Sequence, residues 1–140
     1  MDNPLTSEIE VLNEQQRLLV VDDDEQIRKL LVTVMKRQGF AVEQASNGAE
    51  ALEAIANQQF DVMLLDLMMP IISGFEVLDR LDDAAFRPRC VLVVSAVPEH
   101  YLQLVKKHAH AIIGKPFDVS TLGDRVRECL KQSLAPESAS

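Results

Sequence analysis

The sequence predicts an α/β domain: a doubly wound, five-stranded parallel sheet flanked by five helices. Three observations predict it. Apolar runs such as Val62-Met63-Leu64-Leu65 show no polar alternation, which is the habit of strands buried on both faces of a parallel sheet. Those runs alternate with segments whose apolar residues recur at helical spacing, as right-handed crossovers between parallel strands require. Four of the runs give way, at once or within two residues, to a polar side chain: Asp22, Asp66, Ser95 and Lys115.

Residues 1–16 are polar and acidic with few apolar anchors, and read as a loosely held arm with one helical turn around Ile9 to Leu12. Leu18 to Val21 is the first strand, cut off by Asp22-Asp23-Asp24. Ile27, Leu30, Leu31, Val34 and Met35 then mark a helix that Gly39 stops. Phe40 to Ala45 is the second strand, Asn47-Gly48 a turn, and Ala49, Leu52, Ile55 and Ala56 a second helix. The third strand, Val62 to Leu65, runs into Asp66, and Pro70 removes a backbone donor and turns the following segment into a loop. A short third helix carries Phe75, Val77, Leu78 and Leu81 and closes before Pro88. Val91 to Val94 is the fourth strand. Tyr101, Leu102 and Val105 give a short helix after Pro98, Ala111 to Ile113 a weak fifth strand, and Leu122, Val126, Cys129 and Leu130 a last helix that frays by Pro136. One domain is expected over 17–134, with 135–140 as a tail, and no repeat interrupts it.

Composition narrows the function. The 140 residues are 47% apolar, enough for one core. A net charge of −8 argues against nucleic acid as this domain's partner, since phosphate backbones select basic surfaces. No stretch has the length of a membrane span and no leader pattern opens the chain, so a cytoplasmic location is expected. Cys90 and Cys129 lack metal-ligand spacing and read as buried thiols rather than a disulfide.

In this architecture Asp22, Asp23, Asp66, Ser95 and Lys115 emerge on one edge of the sheet, where open α/β sheets bind ligands. Singly each has a plain reading: Asp24 and Asp23 as helix caps, Ser95 as another, Lys115 as a solvated tip. Together they are harder to dismiss. Three crowded carboxylates repel, and a hard divalent cation resolves the repulsion. An oxygen-only site that keeps waters suits Mg²⁺. Lys115 adds positive charge on the far side of Asp66. A phosphoryl group on the Asp66 carboxylate would find the metal, the Ser95 hydroxyl and the Lys115 ammonium around its oxygens, the charge stabilisation that phosphoryl transfer needs. Met68 and Val97 would border the path of an attacking water. Both are apolar and cannot activate it, so a long-lived aspartyl phosphate is expected.

As a set, Val20-Val21-Asp22-Asp23-Asp24 with Arg28, Asp61 to Pro70 with Gly74, Val91 to Ala96, and Lys115-Pro116-Phe117 resemble the receiver domains of two-component response regulators. The sheet-edge rule is itself illustrated by a chemotaxis receiver of that family, so it is not independent of the resemblance. The resemblance covers about residues 17–134. It implies a flavodoxin-like fold with strand order 2-1-3-4-5, and Asp66 as acceptor of phosphate from a histidine kinase or phosphotransfer protein. It also implies Mg²⁺ held by Asp22, Asp23, Asp66 and the Met68 backbone carbonyl, and a cis Lys115-Pro116 bond. The output face it implies is the fourth helix, fifth strand and fifth helix, open to a downstream protein, a fused output domain or a phosphorylation-linked second copy. Such a domain is a signalling switch rather than an enzyme with substrate turnover.

The chain also departs from the family. The aromatic switch position holds Ile112, with Tyr101 as a substitute aromatic. Ser95 and Lys115 lie twenty residues apart, which trims the fourth helix. The small-residue turn before the fifth strand is Lys107-His108-Ala109-His110. Its two histidines would share one strand face, as a metal pair or a solvated edge. Two other readings compete. A dehalogenase-like phosphatase would need a second Asp where Met68 stands, and a degenerate interaction module should have lost a site residue, yet none is missing. Nothing after Leu134 resembles an output domain, so the chain is expected to be a stand-alone receiver or an excised one.

Overall fold

The computed structural model describes residues 15–84 and 87–133, so the expected arm turn at Ile9 to Leu12 and the tail lie outside the described residues. Five strands, β1 (Arg17–Val21), β2 (Ala41–Ala45), β3 (Val62–Leu65), β4 (Cys90–Val94) and β5 (Ala111–Ile113), alternate with five α-helices. The helices are α1 (Glu25–Arg37), α2 (Gly48–Asn57), α3 (Gly74–Leu81), α4 (Leu102–His108) and α5 (Val119–Ser133). All strand pairings are parallel, in the order β2-β1-β3-β4-β5.

The unbroken apolar runs follow from burial on both sheet faces. Side chains alternate along each strand, so Leu18, Val20, Leu64, Leu92 and Val94 point to one face and Leu19, Val21, Met63, Val91 and Val93 to the other. The first face is covered by α1 through Leu31 and Met35 and by α5 through Leu122, Val126 and Leu130. The second is covered by α2 through Ala51 and Ile55, by α3 through Val77, Leu78 and Leu81, and by α4 through Val105. Each such Leu or Val, fully buried, contributes roughly 1.5–3 kcal/mol relative to exposure. The edge strand β2 keeps Glu43 and Gln44 in solvent, which is why its pattern reads less clearly than those of β1 and β3.

Local chemistry sets the helix ends. Asp24 caps α1 by accepting from the Gln26 and Ile27 N–H groups. Asn47 caps α2 by accepting from the Glu50 N–H, while Glu50 reaches back to the Ser46 N–H at 2.7 Å. Ser73 caps α3. Gly39, with φ +98°, ends α1 in the left-handed region that only glycine enters without strain.

Several expectations are corrected. The first strand starts one residue early, at Arg17, whose N–H is held by the Asp61 carboxylate at 2.8 Å. Phe40 precedes β2 rather than opening it. The fourth helix is a 3₁₀ turn over Glu99–Tyr101 followed by seven α-helical residues, short as the spacing implied. His108 and His110 do not share a strand face. His108 belongs to α4 and meets Asp82 at 3.1 Å, while His110 sits outside β5 and its Nδ1 accepts from the Val91 N–H at 2.9 Å. A ring nitrogen taken up in that way is not offered to a metal. Cys90 and Cys129 are buried free thiols; burial, with Cys90 alongside, pushes the Cys129 thiol up to about 12. Among the described residues no helix is long and apolar enough to cross a membrane.

Candidate functional site

Each candidate side chain is placed by a strand that ends beside its neighbour. Backbone bonds run one residue beyond the strands: Asp22 N–H donates to the Ala45 carbonyl, Asp66 N–H to Val21 and Ser95 N–H to Ile113. Lys115 N–H donates to the Ser95 carbonyl at 3.3 Å. These bonds hold the first residue after β1, β3 and β4 and the second after β5 at the same sheet edge, so Asp22, Asp66, Ser95 and Lys115 converge although up to 93 residues separate them in sequence.

Asp66 is 4% exposed and Asp22 1%. Ser95, fully buried, donates its hydroxyl to Asp66 Oδ1 at 2.8 Å, and the Met68 N–H donates to the same oxygen at 3.2 Å. Ser95 therefore serves as neither cap nor surface residue. Lys115 Nζ lies 2.8 Å from Asp22 Oδ2 and 3.5 Å from Asp66 Oδ2. It stands between the two carboxylates and not on the far side of Asp66, as the sequence suggested. The donor count explains this position. Asp66 Oδ1 already accepts two hydrogen bonds, and Asp22 Oδ1 accepts the Asp24 N–H at 2.9 Å, which leaves the buried Oδ2 of each carboxylate in need of a cation. The Lys115-Pro116 bond is cis.

Burial holds the Asp22 carboxyl above its usual range, and the charge of Asp66 adds to this against the opposing pull of Lys115 and the Asp24 N–H. Burial alone would lower the Lys115 ammonium, but Asp22 and Asp66 outweigh it and raise it. One lysine thus does not neutralise the edge. Asp22, Asp23 and Asp66 each bring a carboxylate oxygen within 4.8 Å of the others, with Asp23 facing solvent. Hard oxygen donors carrying surplus negative charge, open on the solvent side, fit a divalent cation that keeps some of its waters.

The structure separates the remaining candidates. Val97 and Ile112 are half-buried and pack against the sheet face that α2, α3 and α4 cover. Tyr101 packs tilted against Phe75, ring centroids 5.3 Å apart, a contact between α3 and the 3₁₀ turn that precedes α4. Met68 is 59% exposed at the mouth of the site. Arg28 was noted only as part of a motif, yet its guanidinium donates to the Asp22 carbonyl at 2.9 Å and to Gln44 Oε1 at 3.0 Å. It clamps the acidic turn to β2. The available signal was its position, one helical turn past the Asp24 cap.

Residues 18–127 match the response regulator receiver domain family. The chain belongs to that family. The receiver is 33% identical over 122 residues to a transcriptional regulatory protein CpxR homolog of Haemophilus influenzae, covering 87% of this chain and 53% of the relative. With transcriptional regulatory protein ResD of Bacillus subtilis it shares 31% over 119 residues, covering 85% and 50%. The receiver therefore spans about half the length of these curated relatives. Among solved structures, a CheY-like receiver domain protein of Methanospirillum hungatei superposes with a TM-score of 0.78 at 28% identity, covering 86% of this chain and 97% of that one. Response regulator TrrA of Thermotoga maritima, solved in complex with Mg²⁺-BeF, gives 0.71 at 32%, covering 82% and 99%.

Proposed function

We propose that this receiver takes a phosphoryl group from a histidine kinase or phosphotransfer protein onto Asp66, with Mg²⁺, and in response changes a partner-binding surface. The observation that carries the reading is the Asp66 carboxylate. It is buried at a strand end, held by the Ser95 hydroxyl at 2.8 Å, with Lys115 at 3.5 Å and the Asp22–Asp23 pair beside it. The TrrA complex, from a relative of 32% identity, supports the same use of the edge.

Asp22, Asp23 and Asp66 would hold the metal, with the Met68 carbonyl as a fourth donor. The metal's contribution, when bound, is to neutralise charge on the incoming phosphoryl oxygens. An Asp66 carboxylate oxygen attacks phosphorus as the bond to the donor's imidazole nitrogen breaks, and the electron pair leaves with that nitrogen. Lys115 offsets the added negative charge. Its long side chain can follow an oxygen that replaces the Asp66 carboxylate as its partner. The Ser95 hydroxyl exchanges Asp66 Oδ1 for a phosphoryl oxygen.

Ser95 begins the loop into α4, so moving its hydroxyl repositions Val97 and α4 over Ile112. With Ile112 in place of an aromatic ring, the signal passes as a shift of that loop. The face of α4, β5 and α5 is the surface it changes, for a downstream protein, a fused output domain or a second phosphorylated copy. Catalysis ends with self-phosphorylation and slow self-hydrolysis, in the cytoplasm where kinases of this kind present their phosphohistidine. The reading is tested with a transfer domain labelled on its histidine: label should pass to this chain in Mg²⁺ and stop in chelator. Passage at equal rate under both conditions would remove the metal from the scheme.

A further inference from the structure

The loop after Asp66 contains a residue that the fold does not explain. Ile71 has φ +66° and is fully exposed. β-Branched side chains rarely adopt that backbone region, and an apolar side chain gains nothing from full exposure. The loop itself is firmly built. Met69 and Gly74 both donate their N–H groups to the Leu67 carbonyl, Met69 is buried, and Ile72 packs onto the start of α2 at Gly48. Ile71 is left at the tip, where asparagine or glycine would sit without strain.

The surroundings are apolar as well. Pro70, Ile71 and Ile72 wall a cleft of about 310 Å³ against Asn47, Gly48 and Ala49. Met68, on the side of the loop nearer the acceptor, is 59% exposed. From Leu67 to Ser73 no residue is charged, in a chain of net charge −8. Isolated exposed apolar residues are ordinary, but a strained one within a continuous apolar rim is not.

We infer that Ile71 is an anchor for the protein that donates the phosphoryl group. The residue inserts into an apolar concavity lying beside the donor's phosphohistidine. This rests on the phosphotransfer reading above, which also fixes the occupant. Asp66 is only 4% exposed, and the same loop starts on it, with the Met68 N–H donating to Asp66 Oδ1 at 3.2 Å, so a phosphohistidine carried on a protein reaches the carboxylate by bringing the donor surface over this loop. The loop from Leu67 to Ser73 carries no charge, so recognition at Ile71 comes from shape and apolar contact, apart from the solvent-facing Asp23. An anchor held by a rigid loop loses little entropy on binding, which gives the strained backbone a use.

The experiment compares two donors on the parent chain, Ile71→Asn and Ile71→Val. Acetyl phosphate reaches Asp66 without covering the rim. A phosphohistidine transfer domain, chosen as the one that labels the parent fastest from a panel, must cover it. Ile71→Asn should melt higher than the parent, take label from acetyl phosphate at the parent rate, and take label from the transfer domain about tenfold more slowly. Ile71→Val, apolar and still strained, should stay within about twofold on both. Equal transfer-domain rates in the parent and Ile71→Asn would overturn the inference, as would parallel loss from both donors. So would a parent chain that sediments as a dimer while Ile71→Asn is monomeric, because a second copy would then own the rim. A panel in which no domain labels a parent that acetyl phosphate does label also counts against it. A parent that accepts nothing from either donor instead defeats the phosphotransfer reading itself.

Discussion

Gly74→Ala should damage both stability and phosphorylation, and the structure shows why they fail together. A Cβ built at Gly74 runs into the Asp66 carbonyl oxygen and comes within 2.6 Å of Leu67 Cα and 2.9 Å of the Asp66 carbonyl carbon. Ordinary contact begins at 3.4 Å, so the backbone must give by close to an ångström. The opposing atoms are main chain, and no rotamer can relieve the clash. Overpacking of this kind costs about 1–3 kcal/mol. At about 2 kcal/mol, a domain of this size melts roughly 8 °C lower. The atoms displaced belong to the acceptor residue, and a shift of about 1 Å can cost on the order of 100-fold in rate. Thermal unfolding and acetyl phosphate labelling, measured on the same samples, test both halves. Two glycines serve as controls. At Gly114 a Cβ meets nothing and φ is unremarkable, so Gly114→Ala should be nearly silent. At Gly39 a Cβ also meets nothing but φ is +98°, so Gly39→Ala should lose about 1 kcal/mol and keep its labelling rate. A Gly74→Ala chain that melts and labels like Gly114→Ala would refute the steric reasoning.

Three further outcomes follow from the site and its surroundings. Mg²⁺ at ten times its Kd should stabilise the chain by about 1.4 kcal/mol, and Asp23→Ala, at a solvent-facing position, should erase most of the gain; an unchanged melting curve in Mg²⁺ counts against the cluster as a metal site. The aspartyl phosphate should be long-lived because Met68 and Val97 cannot activate water. Met68→Asn with Val97→Glu should speed its decay about tenfold, or roughly 1.4 kcal/mol of barrier, and loss within seconds in the parent rejects this. His110 is held below its ordinary value near 6.5 by burial and by the charge of Arg87. The unfolded chain therefore takes up the proton first, so stability is full above about pH 6.5 and declines as pH falls toward the lower folded value. His110→Asn, which keeps an acceptor for the Val91 N–H, should flatten that slope in denaturant titrations between about pH 7 and 5.

The sheet was legible because both its faces are buried: a run such as Val62 to Leu65 can be little else, and the residue that follows it must stand at a strand end. The strand ends then named Asp22, Asp66, Ser95 and Lys115 as neighbours. What the sequence could not show depended on reach across the sheet or on a single backbone angle. Lys115 bridges the Oδ2 atoms that Asp22 and Asp66 leave without another donor, nearer to Asp22, because a long side chain spans from the β5 edge, which only distances reveal. Arg28 entered only as part of a motif, and its grip on the Asp22 carbonyl needs the register of α1 against β2. The histidines went astray because α4 ends at His108, one residue later than a strand reading of 108–110 allows. Ile71 gave no signal, since nothing in Pro70-Ile71-Ile72 predicts a positive φ at a β-branched position.

The central claim, that Asp66 alone accepts the phosphoryl group, is tested most directly by intact-mass measurement after incubation with acetyl phosphate and Mg²⁺. The parent chain should gain one phosphoryl group and Asp66→Asn none. A parent that stays unmodified, or an Asp66→Asn chain that gains the same stoichiometric mass, would contradict it.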